Sequence, residues 1–228
     1  MIIVPKTKRI ETELTAACGL SGRFVMEKLK VDANGVPIEA SRVKVAEFDN
    51  LITNQGLNRI GTAGDWLTAI QVGSGTTAPA VTDTGLAFFV AGTATTQPAS
   101  AASQSSPPYY TTRSVTRRFA AGAATGNLSE VGIGWAATGS TLFSRALILD
   151  GGGNPTTITV LSDEVLDVTY QLRLYPPATD VSSNITVTGV GTIAVTARAQ
   201  SVTDQNTWGL PQTGVTGGLF TLSSSARI

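Results

Sequence analysis

The clearest pattern in the chain lies at residues 165–175, where Leu166, Val168, Tyr170, Leu172 and Leu174 alternate with Asp167, Thr169, Gln171 and Arg173. A period of two puts the first set on one face of a strand and the second on the other, which predicts an antiparallel strand buried on one side only. Shorter apolar runs repeat the theme at residues 24–31, 42–48, 66–73, 86–92, 110–119, 127–135, 142–149, 156–161, 184–190 and 192–201. Turn residues separate them. Asn34-Gly35 sits between the first two runs, and "DGGGNP" at 150–155 reads as a hairpin turn.

Two segments break the alternation. "FDNLITNQGLNRIG", residues 48–61, predicts a short helix capped by Asp49 or Asn50. It would turn Leu51, Ile52, Leu57 and Ile60 inward and stop at Gly61. "TATTQPASAASQSSPP", residues 93–108, is the least complex stretch and predicts an exposed loop or flexible insertion. Many short strands without helical interludes point to an all-β chain, an antiparallel β-sandwich (jelly-roll-like) with one short helix and an extended N-terminal arm and hairpin. The predicted division is residues 1–47, arm and hairpin making assembly contacts, and residues 48–228, the sandwich. The hairpin carries Lys28, Lys30, Arg42 and Lys44 and is expected to stand partly clear of the core. No internal repeat suggests a solenoid or propeller.

Composition narrows the function. The 228 residues are 42% apolar, and 16 basic residues balance 16 acidic ones. That balance lacks the cationic surplus that binding to nucleic acid requires. All five lysines fall within the first 44 residues, so the N-terminal fifth differs from the rest. The single cysteine, Cys18, has no partner in the chain for a disulfide. No apolar run approaches the roughly 20 residues of a membrane span, and the opening segment does not resemble a secretory leader. Synthesis in a cytoplasm without membrane insertion is therefore expected. On that expectation the Asn-x-Ser/Thr triplets at Asn127 and Asn184 carry no weight.

Little in the chain resembles a reagent. It contains no histidine, which removes the commonest general base and every Ser-His-Asp or Cys-His arrangement. Asp163, Glu164 and Asp167 form the one carboxylate group to weigh as a glycosidase pair or a Ca²⁺ site, and their turn and strand-face positions favour a solvated rim. Asp65 and Asp83 lie in loops without EF-hand spacing. "VGSGTTAP" lacks the GK[ST] ending and following helix of a phosphate loop and reads as a strand-end turn. In "TTRSVTRRFA", Arg113 and Arg117 project to one face and Arg118 to the other. Pairing with carboxylates, between strands or between subunits, is preferred for them over an anionic polysaccharide. Lys28, Lys30, Arg42, Lys44, Arg113, Arg117 and Arg118 are accordingly the expected intersubunit contacts. No catalytic residue, metal site or cofactor is expected, and the chain is not read as an enzyme.

Four blocks, "FDNLITNQGLNRIG", "VGSGTTAPAVTDTGL", "GNLSEVGIGW" and "LFSRALILDGGGNPTTITVLSDEVLDVTYQLRLYPP", resemble in content and order a group of virion structural proteins of tailed bacteriophages, of the tail, tail-fibre or minor-tail type. The resemblance spans about residues 48–177 and brings no functional residues with it. It implies a tail-associated virion protein, assembled in the host bacterial cytoplasm, that forms a symmetric homo-oligomer and joins or builds tail appendages. The implied partners are copies of itself and other virion proteins of the tail, portal or collar, or fibre. Alternatives of the same origin are a receptor-binding module for a host surface glycan and a capsid decoration or head-fibre protein.

Overall fold

The structure, a computed structural model, describes residues 18–60, 66–99, 104, 106–177, 179–187 and 191–197. The predicted arm before residue 18 and the candidate Asp65 lie outside the described residues.

Two five-stranded antiparallel sheets form the body of an all-β sandwich. The first has the order β2 (Val43–Asp49), β1 (Gly19–Lys30), β12 (Glu164–Tyr175), β7 (Thr111–Phe119) and β6 (Thr96–Gln97). The second has the order β3 (Leu51–Ile52), β10 (Leu142–Leu147), β9 (Glu130–Gly134), β4 (Ala69–Gly73) and β5 (Phe89–Thr93). Two smaller pairs complete the described strands: β8 (Gly126–Leu128) with β11 (Ile158–Val160), and β13 (Val181–Val187) with β14 (Gly191–Ala197).

The alternation in β12 does what its period dictates. Leu166, Val168, Tyr170 and Leu172 join Phe24 and Met26 of β1 to form one wall of the core, and Ile70, Val72, Val131, Ile133 and Phe143 form the other. Aromatic rings tie the walls together. Tyr170 lies 4.9 Å from Phe24 and 6.4 Å from Phe143 between ring centroids, and Phe143 lies 4.7 Å from Trp66. The packing leaves no room for a Cβ at Gly22, whose place is taken by the Tyr170 hydroxyl and the Asn50 amide.

The N-terminal hairpin departs from its expected position. β1 pairs with β12 along its whole length, from Gly19 opposite Tyr175 to Lys30 opposite Glu164, and with β2 on its other side. Far from standing clear, the hairpin supplies an interior strand with Phe24 and Met26 buried, and β2 runs straight across the predicted boundary at 47/48. Its connecting turn is as predicted. The Asp32 carboxylate accepts the backbone N–H groups of Asn34 and Val36, each at 2.9 Å, and Gly35 takes a φ of +78° that favours glycine.

Three further predictions are corrected. Helix α1 spans Asn54–Ile60 and begins later than expected, because Leu51 and Ile52 pair with β10 as β3. Its cap is Thr53, whose hydroxyl accepts the Gly56 N–H at 3.1 Å and donates to the Leu142 carbonyl at 2.9 Å. Leu57 consequently faces solvent, and Gly56 is the residue buried against the Phe143 carbonyl. The run at 127–135 is two strands in different sheets, broken at Ser129, where the hydroxyl donates to the Gly75 carbonyl at 2.9 Å. Within the predicted loop at 93–108, Thr96–Gln97 pairs with β7 opposite Arg117 and Thr116.

The two sheets are not equivalent. β4 and β9 are buried on both faces, because the second sheet's outer surface is itself covered. Helix α1 packs over β10, and residues 74–88 fold back across β9. The 136–141 turn caps Gln71, whose amide donates to the carbonyls of Ala136 (3.1 Å) and Gly139 (3.3 Å). Among the described residues, no comparable layer covers the outer face of the first sheet.

Candidate functional site

Glu130 faces outward from β9 yet has no solvent exposure, so its charge must be met by protein groups. Three backbone N–H groups from residues 74–88 converge on it: Gly75 at 3.0 Å and Phe88 at 2.6 Å donate to Oε1, and Ala87 at 3.0 Å donates to Oε2. Arg145, from β10, reaches Oε2 with Nε at 2.9 Å and Nη2 at 2.8 Å. The same guanidinium meets Asp83 at 2.6 Å and the Thr77 carbonyl at 2.9 Å. Burial by itself would raise the Asp83 carboxyl, but the Ala80 N–H and Arg145 outweigh it and hold the group below its usual value. Glycine at 73 and 75 is required here because a Cβ at either would collide with the Glu130 carboxylate. The glycine-rich "VGSG" stretch therefore does cradle an anion, and that anion is the chain's own.

The second cluster lies on the outer face of the first sheet. Asp167 is 2% exposed, not the solvated rim residue its alternation implied, because Arg118 and Arg42 lie over it. Arg118 grips it with two donors, Nε at 2.7 Å and Nη2 at 2.6 Å, and Arg42 adds Nη1 at 3.0 Å. Arg42 also pairs with Glu27 at 3.0 Å and Glu39 at 2.7 Å. Asp167 raises the pKa of Arg118; burial disfavours the charge on Arg42, but its three carboxylate partners carry the pKa upward. The cluster lines one part of a groove of about 510 Å³ whose other lining residues include Val25, Thr116, Thr169, Gln171, Gln97 and Pro98.

The remaining candidates are distributed. Glu164 lies on the face of β12 opposite to Asp167, so the two carboxylates do not flank one space, and Asp163 is exposed at the preceding turn. Burial acts to raise Glu164, but Lys28 at 2.8 Å and the Leu161 N–H hold it below its usual value. Arg117 donates to the carbonyls of Thr68 and Leu67, and Arg113 stacks over the Trp66 ring at 5.4 Å. Lys44 pairs with Glu47, while Lys30 and Cys18 are exposed. Of the seven cations expected between subunits, Lys28, Arg42, Lys44, Arg113, Arg117 and Arg118 thus have partners within their own chain. The opposed directions of Arg113 and Arg117 against Arg118 are as read from the strand period.

Sequence reasoning missed Glu130 and Arg145. Each sits beside small or apolar residues in a run that reads as an ordinary strand, and the only signal was a charge in a segment otherwise fit for burial on both faces. Chemically, both clusters use carboxylates to hold backbone and guanidinium groups in place. No protein-family model, curated protein or solved structure matches the chain.

Proposed function

We propose that the chain is a structural component of a tailed-phage virion, tail-associated, forming a symmetric homo-oligomer that joins or builds tail appendages. One observation supports this reading above the rest: the four blocks behind the resemblance, distant in sequence, meet at the anchored segment 74–88. Glu130 comes from one block, Arg145 from another, and Gly75, Thr77 and Asp83 from a third. The fourth supplies Gln55, which donates to the Thr84 carbonyl at 2.9 Å, and Asn54, whose N–H donates to the Val81 carbonyl at 2.7 Å. Residues from all four blocks therefore take part in holding one surface segment in one shape. A particle protein needs such fixed surfaces, since its product is an assembly and contact with a preformed surface loses less conformational freedom. The test is immunogold labelling of purified particles that encode the chain, with antibody raised against it. Label on the tail is expected, and particles lacking the chain would overturn the proposal.

A receptor-binding reading draws on the groove at Asp167, where Gln171 and Gln97 carry amides suited to hydrogen bonding with a host surface glycan. Titration of purified host polysaccharide against the protein and against Gln171→Ala tests it. Binding weakened by the substitution favours a glycan site there, and no heat of binding removes it.

A further inference from the structure

An edge strand offers unpaired backbone groups to any strand that approaches, and proteins guard such edges with charges or by keeping them very short. Three of the four edges of the two large sheets are guarded in this way. β2 carries Lys44 and Glu47, and β3 and β6 are two residues long. Among the described residues β5 differs, with five residues, no charge and a single bulge at Val90 where its register with β4 shifts. At its start Phe88, Phe89 and Val90 stand in succession 70%, 45% and 39% exposed. No charged residue occurs in the 29 positions between Asp83 and Arg113. The strip is also held in place, because the Ala87 and Phe88 N–H groups are bound to Glu130.

We propose that β5, with Phe88 leading into it, is the surface on which a second copy of this chain docks, the two edges meeting about a two-fold axis. Charge selects that occupant. In a two-fold contact each patch meets itself, so residues on the axis face their own copies and any charge there faces its like. A strip with no charge escapes that penalty, and a chain with 16 positive and 16 negative residues adds no long-range repulsion between copies. A strongly charged partner would find nothing here to steer it. Two apolar edges, by contrast, gain both strand pairing and burial of the phenylalanines. The inference rests on the homo-oligomer reading above and names its surface.

The experiment is sedimentation equilibrium of the full chain over a wide concentration range, comparing wild type with Phe88→Lys, Phe88→Glu and an equimolar mixture of the two. Wild type is expected to associate, each variant to associate at least about tenfold more weakly, and the mixture to recover as opposite charges face each other across the axis. Thermal melts by circular dichroism check each variant's fold, with Val90→Lys as a second placement of charge should Phe88→Lys melt early. An oligomer that none of the substitutions weakens overturns this surface and leaves the homo-oligomer standing. Monomeric wild type at every concentration overturns the pairing, and particle labelling then decides separately whether the virion assignment survives.

Discussion

Glu130 and Asp167 are both carboxylates with almost no exposure, and both meet arginines, but their remaining partners differ. Glu130 accepts three backbone N–H groups from a segment remote in sequence, whereas the ionic partners of Asp167 are side chains that retain some contact with water. The first cluster determines where a stretch of chain lies. The second reinforces a sheet whose ladder already holds it, Asp167 facing Arg118 across paired strands. The lesson is that an ion pair's weight depends on what else would have to satisfy its neighbours if it were lost.

The sharpest way to break the comparison is Glu130→Gln. It leaves the buried Arg145 with Asp83 as its remaining carboxylate partner and removes the charge from three N–H groups, with an expected loss of about 3 kcal/mol in denaturant unfolding. Limited proteolysis should then cut within residues 74–88 under conditions where wild type resists. A loss below about 1 kcal/mol would show that the backbone contacts alone hold the segment. Asp167→Asn should cost less, about 1–3 kcal/mol, because its arginines keep Glu27, Glu39 and partial hydration. Residues 74–88 should stay protected in that variant, and cleavage there would mean that the two clusters are coupled.

Acid adds a smaller, signed effect. Asp83 in the folded chain titrates below its ordinary value of 3.8, so the unfolded chain takes up the proton first as pH falls. The stabilisation it lends is complete above that value and is lost as pH drops through the lower, folded-state value. Melts between pH 5 and pH 2 should show an acid limb that Asp83→Asn flattens in part. An unchanged limb would remove Asp83 from the account. The smallest effect belongs to Lys44→Ala at the solvated β2 edge, where the pair with Glu47 is worth no more than about 0.5 kcal/mol.

The strand pattern was legible wherever one face of a strand meets the core and the other meets water. Residues 165–175, the turn at Asn34-Gly35 and the split between Arg117 and Arg118 follow from a period of two and from glycine's freedom. The reading failed where groups remote in sequence cover or pair with a segment. Asp167 looked wet because nothing local announces that Arg42, 125 residues away, lies over it. Leu57 looked buried because the helix start was placed three or four residues too early, before the pairing of Leu51–Ile52 with β10 had been counted.

What the sequence by itself determined is therefore the all-β character, the alternating faces and the turns, since each depends on neighbours within a few residues. Only the tertiary structure decided which carboxylates are buried, what the "VGSG" glycines surround and which of the described sheet edges is long and uncharged. Those outcomes depend on loops that close over tens of residues, and on Glu130 finding in residues 74–88 the donors that water would otherwise supply.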